Sequence, residues 1–208
     1  MTIELAPPRL EDGVRRLFDV LANPQPMTAE ELKQFRVQIN YLFDVFPANA
    51  ALVGGNAVRL WLNQLGLPVP QPISGDFDIV TWGGGPPDPG VEDFQKGPGP
   101  IIVDIIHTWE PFEYPFFTQI EVENRPVPVA TLPTLVMMKA QDVVWENPNP
   151  QFIAKDHFYY GLLKQLVSRP DMDKYLAAYL NHVPAHIVRT NSYVDFLVSE
   201  GLASPARA

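Results

Sequence analysis

Two adjacent glycines close a short apolar run and open an amphipathic one, in Ala51-Leu52-Val53-Gly54-Gly55-Asn56-Ala57-Val58-Arg59-Leu60-Trp61-Leu62. The pattern predicts a buried strand, a tight turn without side chains, and a helix. Such a turn lets phosphate oxygens approach backbone N–H groups at a helix N-terminus. Further on, Ser74-Gly75-Asp76-Phe77-Asp78-Ile79-Val80 predicts a strand. Its period of two puts Asp76 and Asp78 on one face and Phe77 and Ile79 on the other. Two like charges side by side call for a cation. A third acid, Asp104, interrupts the β-branched run Ile101-Ile102-Val103-Asp104-Ile105-Ile106, which otherwise reads as a central strand. Burying that charge unpaired is costly, so a metal or a ligand is its natural partner.

Magnesium takes hard oxygen ligands and keeps substrate phosphates in its shell, and manganese can stand in for it. Two such ions can clamp the attacking and leaving oxygens of an in-line displacement. On this reading Asp76 and Asp78 hold metal, and Asp104 ligates or acts as base. Each aspartate taken singly has a plainer explanation, the D-x-D as a turn cap and Asp104 as a carboxylate satisfied by backbone donors. The joint order of glycine pair, D-x-D and strand Asp is what favours chemistry.

In this order and spacing, Gly54-Gly55, Asp76-x-Asp78 and Asp104 resemble the nucleotidyltransferase superfamily, with the AbiEii-like toxin branch the nearest likeness. The resemblance continues through Val127-Pro128-Val129-Ala130 into Leu135-Val136-Met137-Met138-Lys139-Ala140, a strand leading to a lysine-bearing helix, and to a later Lys155-Asp156 pair. It spans roughly residues 50 to 166 and is most specific in its glycine and D-x-D portion. It implies an α/β (α+β) fold, a mixed sheet flanked by helices with a helical C-terminal part. It also implies transfer of a nucleoside monophosphate from a nucleoside triphosphate to an acceptor hydroxyl, with magnesium (or manganese) as cofactor. The site residues it implies are Asp76, Asp78 and Asp104 for metal and catalysis. Gly54, Gly55, Asn56, Ser74, Lys139, Lys155 and Asp156 would bind the nucleotide. A toxin or defence role with a small antitoxin partner goes with that branch. The chain departs from the pattern at three positions: Asn56 stands where Ser or Thr is common, Pro72 where many relatives have Arg, and Tyr159 where a second Asp usually follows the Lys-Asp pair. The Asn56 amide can still donate to a phosphate, but the missing Arg and Asp keep a second reading open, a degenerate fold that binds nucleotide or protein without turnover.

Composition narrows the partners. A net charge of −9 argues against a broad basic surface for nucleic acid, because phosphate neutralisation needs clustered Lys and Arg. A protein or small-molecule acceptor is therefore favoured over tRNA. With no cysteine, thiolate nucleophiles, disulfides and Cys-based zinc sites are excluded. No run approaches the ~18 apolar residues of a membrane span and no basic-then-apolar leader opens the sequence, so a cytoplasmic protein without a membrane partner is expected.

Along the chain, Val14, Leu17, Phe18 and Leu21 recur at helical spacing before Asn23-Pro24. Thr28-Ala29-Glu30-Glu31 reads as a capping box opening a second helix, with Leu32, Phe35, Ile39, Leu42 and Phe43 on its buried face. The glycine-turn helix should run from about Asn56 to Leu65 and stop at Gly66. The segment from Gly83 to Pro100, crowded with Gly and Pro, reads as a mobile loop beside the site rather than a phosphate loop, since no Gly-Lys-Ser/Thr follows. Phe116 to Glu123 and Pro126 to Ala130 predict a hairpin around Asn124-Arg125. The expected partition is a core over residues 1–130, N-terminal helices included, and a helical region over 131–208. Lys139 either contacts phosphate or pairs with Asp142 at i+3. Lys155 and Asp156 read as the more exposed pair. His182 and His186 have metal-like spacing, but Pro184 between them points to a helix boundary.

Overall fold

The structure, a computed structural model, describes residues 9–23, 25–45, 50–71, 75–82, 92–94, 101–108, 116–145, 148–182 and 189–205. Pro72, Ser74, most of the Gly/Pro-rich segment and His186 lie outside them, as do the side chains of Asp104, His107 and His182. In chain order the elements are α1 (Asp12–Ala22), α2 (Ala29–Val45), β1 (Ala50–Val53), α3 (Gly54–Gln64), β2 (Asp76–Trp82), β3 (Glu92–Phe94) and β4 (Ile101–Thr108). There follow β5 (Phe117–Val122), β6 (Arg125–Ala130), α4 (Leu132–Trp145), α5 (Pro150–Leu163), α6 (Arg169–His182) and α7 (Arg189–Ser199). The fold is α/β, with a mixed sheet.

Two units divide the chain: Pro24–Thr131, and Met1–Asn23 together with Leu132–Ala208. The first holds a six-stranded sheet in the order β3-β4-β2-β1-β6-β5. β1 runs antiparallel to β2 and parallel to β6, while β2 runs parallel to β4. Central β1 is buried along its whole length, which is why it reads as an uninterrupted apolar run rather than an alternating one. Phe35 of α2 stacks on Phe77 of β2 at 6.3 Å between ring centres, so the apolar parity positions of β2 face a helix, as their alternation requires. α2 opens on the expected capping box. The Thr28 backbone N–H and hydroxyl both donate to Glu31 Oε2 at 2.8 Å, and Thr28 Oγ1 accepts from the Glu31 N–H at 3.3 Å.

α3 begins two residues earlier than the sequence suggested, at Gly54 itself, because Gly54 with φ +64° makes the strand-to-helix turn alone. Gly66, φ +67°, lies just past its end, the left-handed conformation that commonly follows a helix. The Trp61 indole donates to the Ala130 carbonyl at 2.8 Å and ties α3 to the end of β6. The β5–β6 hairpin turns on Glu123 and Asn124, both at positive φ. The turn is thus one residue earlier than expected, and Arg125 opens β6. Its guanidinium donates to the Asn40 and Phe43 carbonyls and to the Asp44 carboxylate, closing the C-terminal end of α2.

In the helical unit, α1 packs on α5, and α4 packs on α5, α6 and α7. The buried Val14 and Phe18 of α1 belong to the stripe that its spacing predicts. Asn149 caps α5 by accepting from the Gln151 N–H at 3.0 Å, with Pro150 in the first turn, where a missing N–H costs nothing.

Candidate active site

Gly54 has two separate reasons to be glycine. Its φ of +64° lies in the left-handed region that side chains disfavour. In addition, a Cβ built on it would stand 1.8 Å from Asp78 Oδ2 and 2.6 Å from Asp78 Cγ. The Asp78 carboxylate therefore rests directly against the bare α-carbon at the start of α3. That helix has Val53 as its N-cap, which supplies no capping side chain, so the positive end of the helix dipole faces the acid. Gly54 and the second acid of the D-x-D are thus in direct contact. The register makes this so, since Val53 is paired with Asp78 across β1 and β2.

Asp76 stands two residues along β2, on the same strand face by parity. Its Oδ1 is buried and, among the described residues, has no hydrogen-bond partner. A carboxylate oxygen in that state is a strong acceptor missing its donor or its cation. Strand β4 lies parallel beside β2 with Asp104 in register with Asp78, so position 104 falls on the same sheet face as the D-x-D pair. Among the described residues, no group of three or more acids and histidines is arranged to hold a metal. Asp76 and Asp78, which share a strand face by parity, carry hard oxygens of the kind magnesium or manganese takes.

Asn56 is 3% exposed and points inward. Its Nδ2 donates to the Asp76 carbonyl at 2.5 Å, and its Oδ1 accepts from Arg59 Nη1 at 2.5 Å. Arg59 itself is fully buried. Sequence reasoning passed over it, although the one charge in Ala57-Val58-Arg59-Leu60-Trp61-Leu62 is a signal: a helix face closed on both sides by apolar residues cannot hold an arginine without a purpose.

Lys139, Lys155 and Asp156 belong to the helical unit. Lys139 donates to Asp142 at 2.7 Å and to Asp156 at 2.9 Å. The i+3 pairing read from the sequence is present and a second carboxylate joins it. Burial pulls the Lys139 ammonium down, but Asp142 and Asp156 outweigh it and hold the group above its ordinary range. Asp156 is buried rather than exposed as its sequence pattern suggested. Burial pushes its carboxyl up, against the pull of Lys139. α5 is buried on most of its circumference, and Asp156 falls on the side it shares with Tyr159, Tyr160 and Leu163.

No protein-family model and no curated protein sequence matches the chain. In fold it is similar to an antigenic nucleotidyltransferase-like protein from Paracoccidioides brasiliensis, with a TM-score of 0.50 and 13% identity over 85% of this chain and 91% of that one. The antibiotic-resistance factor ANT(2'')-Ia aligns at a TM-score of 0.39 and 13% identity, over 82% of this chain and 95% of that one. The first of these likenesses is one of fold alone, an α/β architecture with a mixed sheet.

Proposed function

We propose that this chain catalyses nucleotidyl transfer: an acceptor hydroxyl oxygen attacks the α-phosphorus of a nucleoside triphosphate, the bond to the bridging oxygen breaks, and pyrophosphate leaves. The observation that carries the reading is the Asp78 carboxylate seated against Gly54 at the start of α3, with the orphaned Asp76 Oδ1 two residues away on the same strand. Asp76 and Asp78 would hold a divalent cation, magnesium or manganese, whose charge would stabilise the phosphate oxygens. Asp104 would complete the acid set and take the proton of the acceptor hydroxyl. The backbone of Gly54 and Gly55 would cradle the triphosphate with Ser74. Lys139, Lys155 and Asp156 enter by the family resemblance. Lys139 already shares its charge between two carboxylates, so its contribution to phosphate is the smaller one. The AbiEii-like resemblance extends the proposal to a cytoplasmic toxin or defence protein with a small antitoxin partner, acting on a protein or small-molecule acceptor.

The test is pyrophosphate release and thermal stability across a panel of triphosphates, with magnesium, in the presence of cell extract as acceptor source. Magnesium and triphosphate together should raise the melting temperature more than triphosphate alone. A ligand at a hundred times its dissociation constant adds about 2.7 kcal/mol. Asp76→Asn with Asp78→Asn should abolish the metal-dependent part, and Asp104→Asn should stop release while keeping much of the affinity. An unchanged shift in the double variant would show that metal binds elsewhere. Binding without release from the wild type under every acceptor would turn the assignment to a nucleotide-binding relic.

A further inference from the structure

We infer that Asn56 and Arg59 form a buried clamp that fixes the acid strand against the glycine turn, making both of them positioning residues for the divalent cation. The inference rests on the reading in which Asp76 and Asp78 hold that cation. Asn56 lies in the first turn of α3, directly after the glycine pair, and its Nδ2 donates to the backbone carbonyl of Asp76, the residue whose Oδ1 is orphaned. Arg59, one helical turn on, donates to Asn56 Oδ1. With its oxygen held by a cation, the amide cannot turn over, since the flipped amide would set its NH2 against the guanidinium and its oxygen against the Asp76 carbonyl. The guanidinium also polarises the amide and strengthens the bond on its far side. Asn56 thus faces the strand backbone, in a position where the resemblance alone would have it reach for phosphate.

A purely structural role accounts poorly for this pair. Burying a guanidinium is costly even when it is bonded, so an apolar pair of similar volume would offset part of what is lost when the Asp76 carbonyl gives up its donor. What the polar pair adds is direction. It sets the Asp76 peptide, and with it the carboxylate that the peptide carries, at a fixed distance from the turn where Asp78 sits. Partners behind metal ligands act in this way, and their loss typically weakens metal binding about 10–100-fold.

The experiment titrates the full chain with Mn2+ alone, reading free Mn2+ by electron paramagnetic resonance, alongside thermal unfolding. The variants are Asn56→Leu, Arg59→Met, the two combined, and Arg59→Lys. Each single apolar variant should bind Mn2+ about 10–100-fold more weakly. The combined variant should be no weaker than the poorer single one, because the residues act as a unit, and it should still unfold cooperatively. Mn2+ binding by the folded combined variant within about twofold of wild type would overturn the clamp, as a core-filling pair would leave it unmoved. Arg59→Lys keeps the charge but not the reach and direction of the Nη1 donor that meets Asn56 Oδ1. It carries the test should the apolar pair not fold: Mn2+ binding weakened about threefold or more, at an unchanged melting temperature, supports the clamp, and wild-type affinity overturns it. Failure of the wild type to bind Mn2+, or binding untouched by Asp76→Asn with Asp78→Asn, would defeat the metal reading itself, and the clamp with it.

Discussion

Gly54→Ala should be among the most damaging single-methyl additions this chain can suffer, and its cost separates into two parts. The first is local: a side chain at φ +64° costs about 1–2 kcal/mol. The second comes from Asp78. The new methyl would stand 1.8 Å from Oδ2 and 2.6 Å from Cγ, far inside contact distance, so the carboxylate must rotate away. An off-rotamer side chain costs about 0.5–1.5 kcal/mol, and leaving the helix N-terminus forfeits about 0.3–1 kcal/mol more. The sum is about 3 kcal/mol, or ~6–12 °C in melting temperature for a chain of this size. A double-mutant cycle read by urea unfolding separates the parts. In an Asp78→Ala background the two nearest clashes vanish and the contact at 2.9 Å to Cβ remains, so Gly54→Ala should cost the local part plus the small shift that relieves this contact, with a coupling of about 1 kcal/mol. Equal cost in both backgrounds would refute the seating of Asp78 on Gly54. A total below about 0.5 kcal/mol would refute the left-handed turn as well.

Two further tests address the frame that holds the site. Arg125→Ala removes the donor to the Asn40 and Phe43 carbonyls and to Asp44; water replaces part of it, so urea unfolding should show a loss of about 1–2 kcal/mol, and a change within a few tenths would mean that the guanidinium does not close α2. The Glu31 carboxyl is held below its ordinary 4.5 by the Thr28 backbone N–H and hydroxyl, so it contributes stability above that pH and loses it as the pH falls through the folded-state value. Glu31→Gln should therefore be less stable than wild type at neutral pH, with the two unfolding curves converging well below pH 4.5; a gap that persists in acid would assign the effect to packing.

What the sequence disclosed about this fold is what local pattern can carry. The parity of Asp76, Phe77, Asp78 and Ile79 announced a strand with an acidic and an apolar face, and Phe77 does meet Phe35. The spacing of Thr28 and Glu31 announced a cap, and both halves of it form. Pairing across the sheet is another matter. Nothing in the run around Asp104 says that it lies in register with Asp78 rather than one residue off, a slip that would send it to the opposite face. Register is decided by the whole sheet, and no window of sequence contains it. The same holds for what covers an amphipathic helix: α1 shows a clean apolar stripe, yet its spacing cannot tell that the stripe meets α5, far along the chain.

Asn56 and Arg59 show the limit most clearly, because each was open to a sound local reading. An amide beside a glycine pair is well placed to donate to phosphate, and an arginine on a helix is ordinarily solvent-facing. Both readings treat the side chain as a group reaching outward from its own element. Once β2 is laid against β1, the Asp76 carbonyl comes within hydrogen-bond distance of the Asn56 amide, and the amide is turned inward with Arg59 behind it. The chemistry of the glycine turn is thereby divided between backbone and side chain. The bare α-carbon of Gly54 receives the Asp78 carboxylate, while the first polar side chain of the helix holds the Asp76 carbonyl. If Asp76 and Asp78 hold the proposed cation, the amide that ties the Asp76 peptide to the glycine turn is the link through which a change at position 56 should register first in metal affinity.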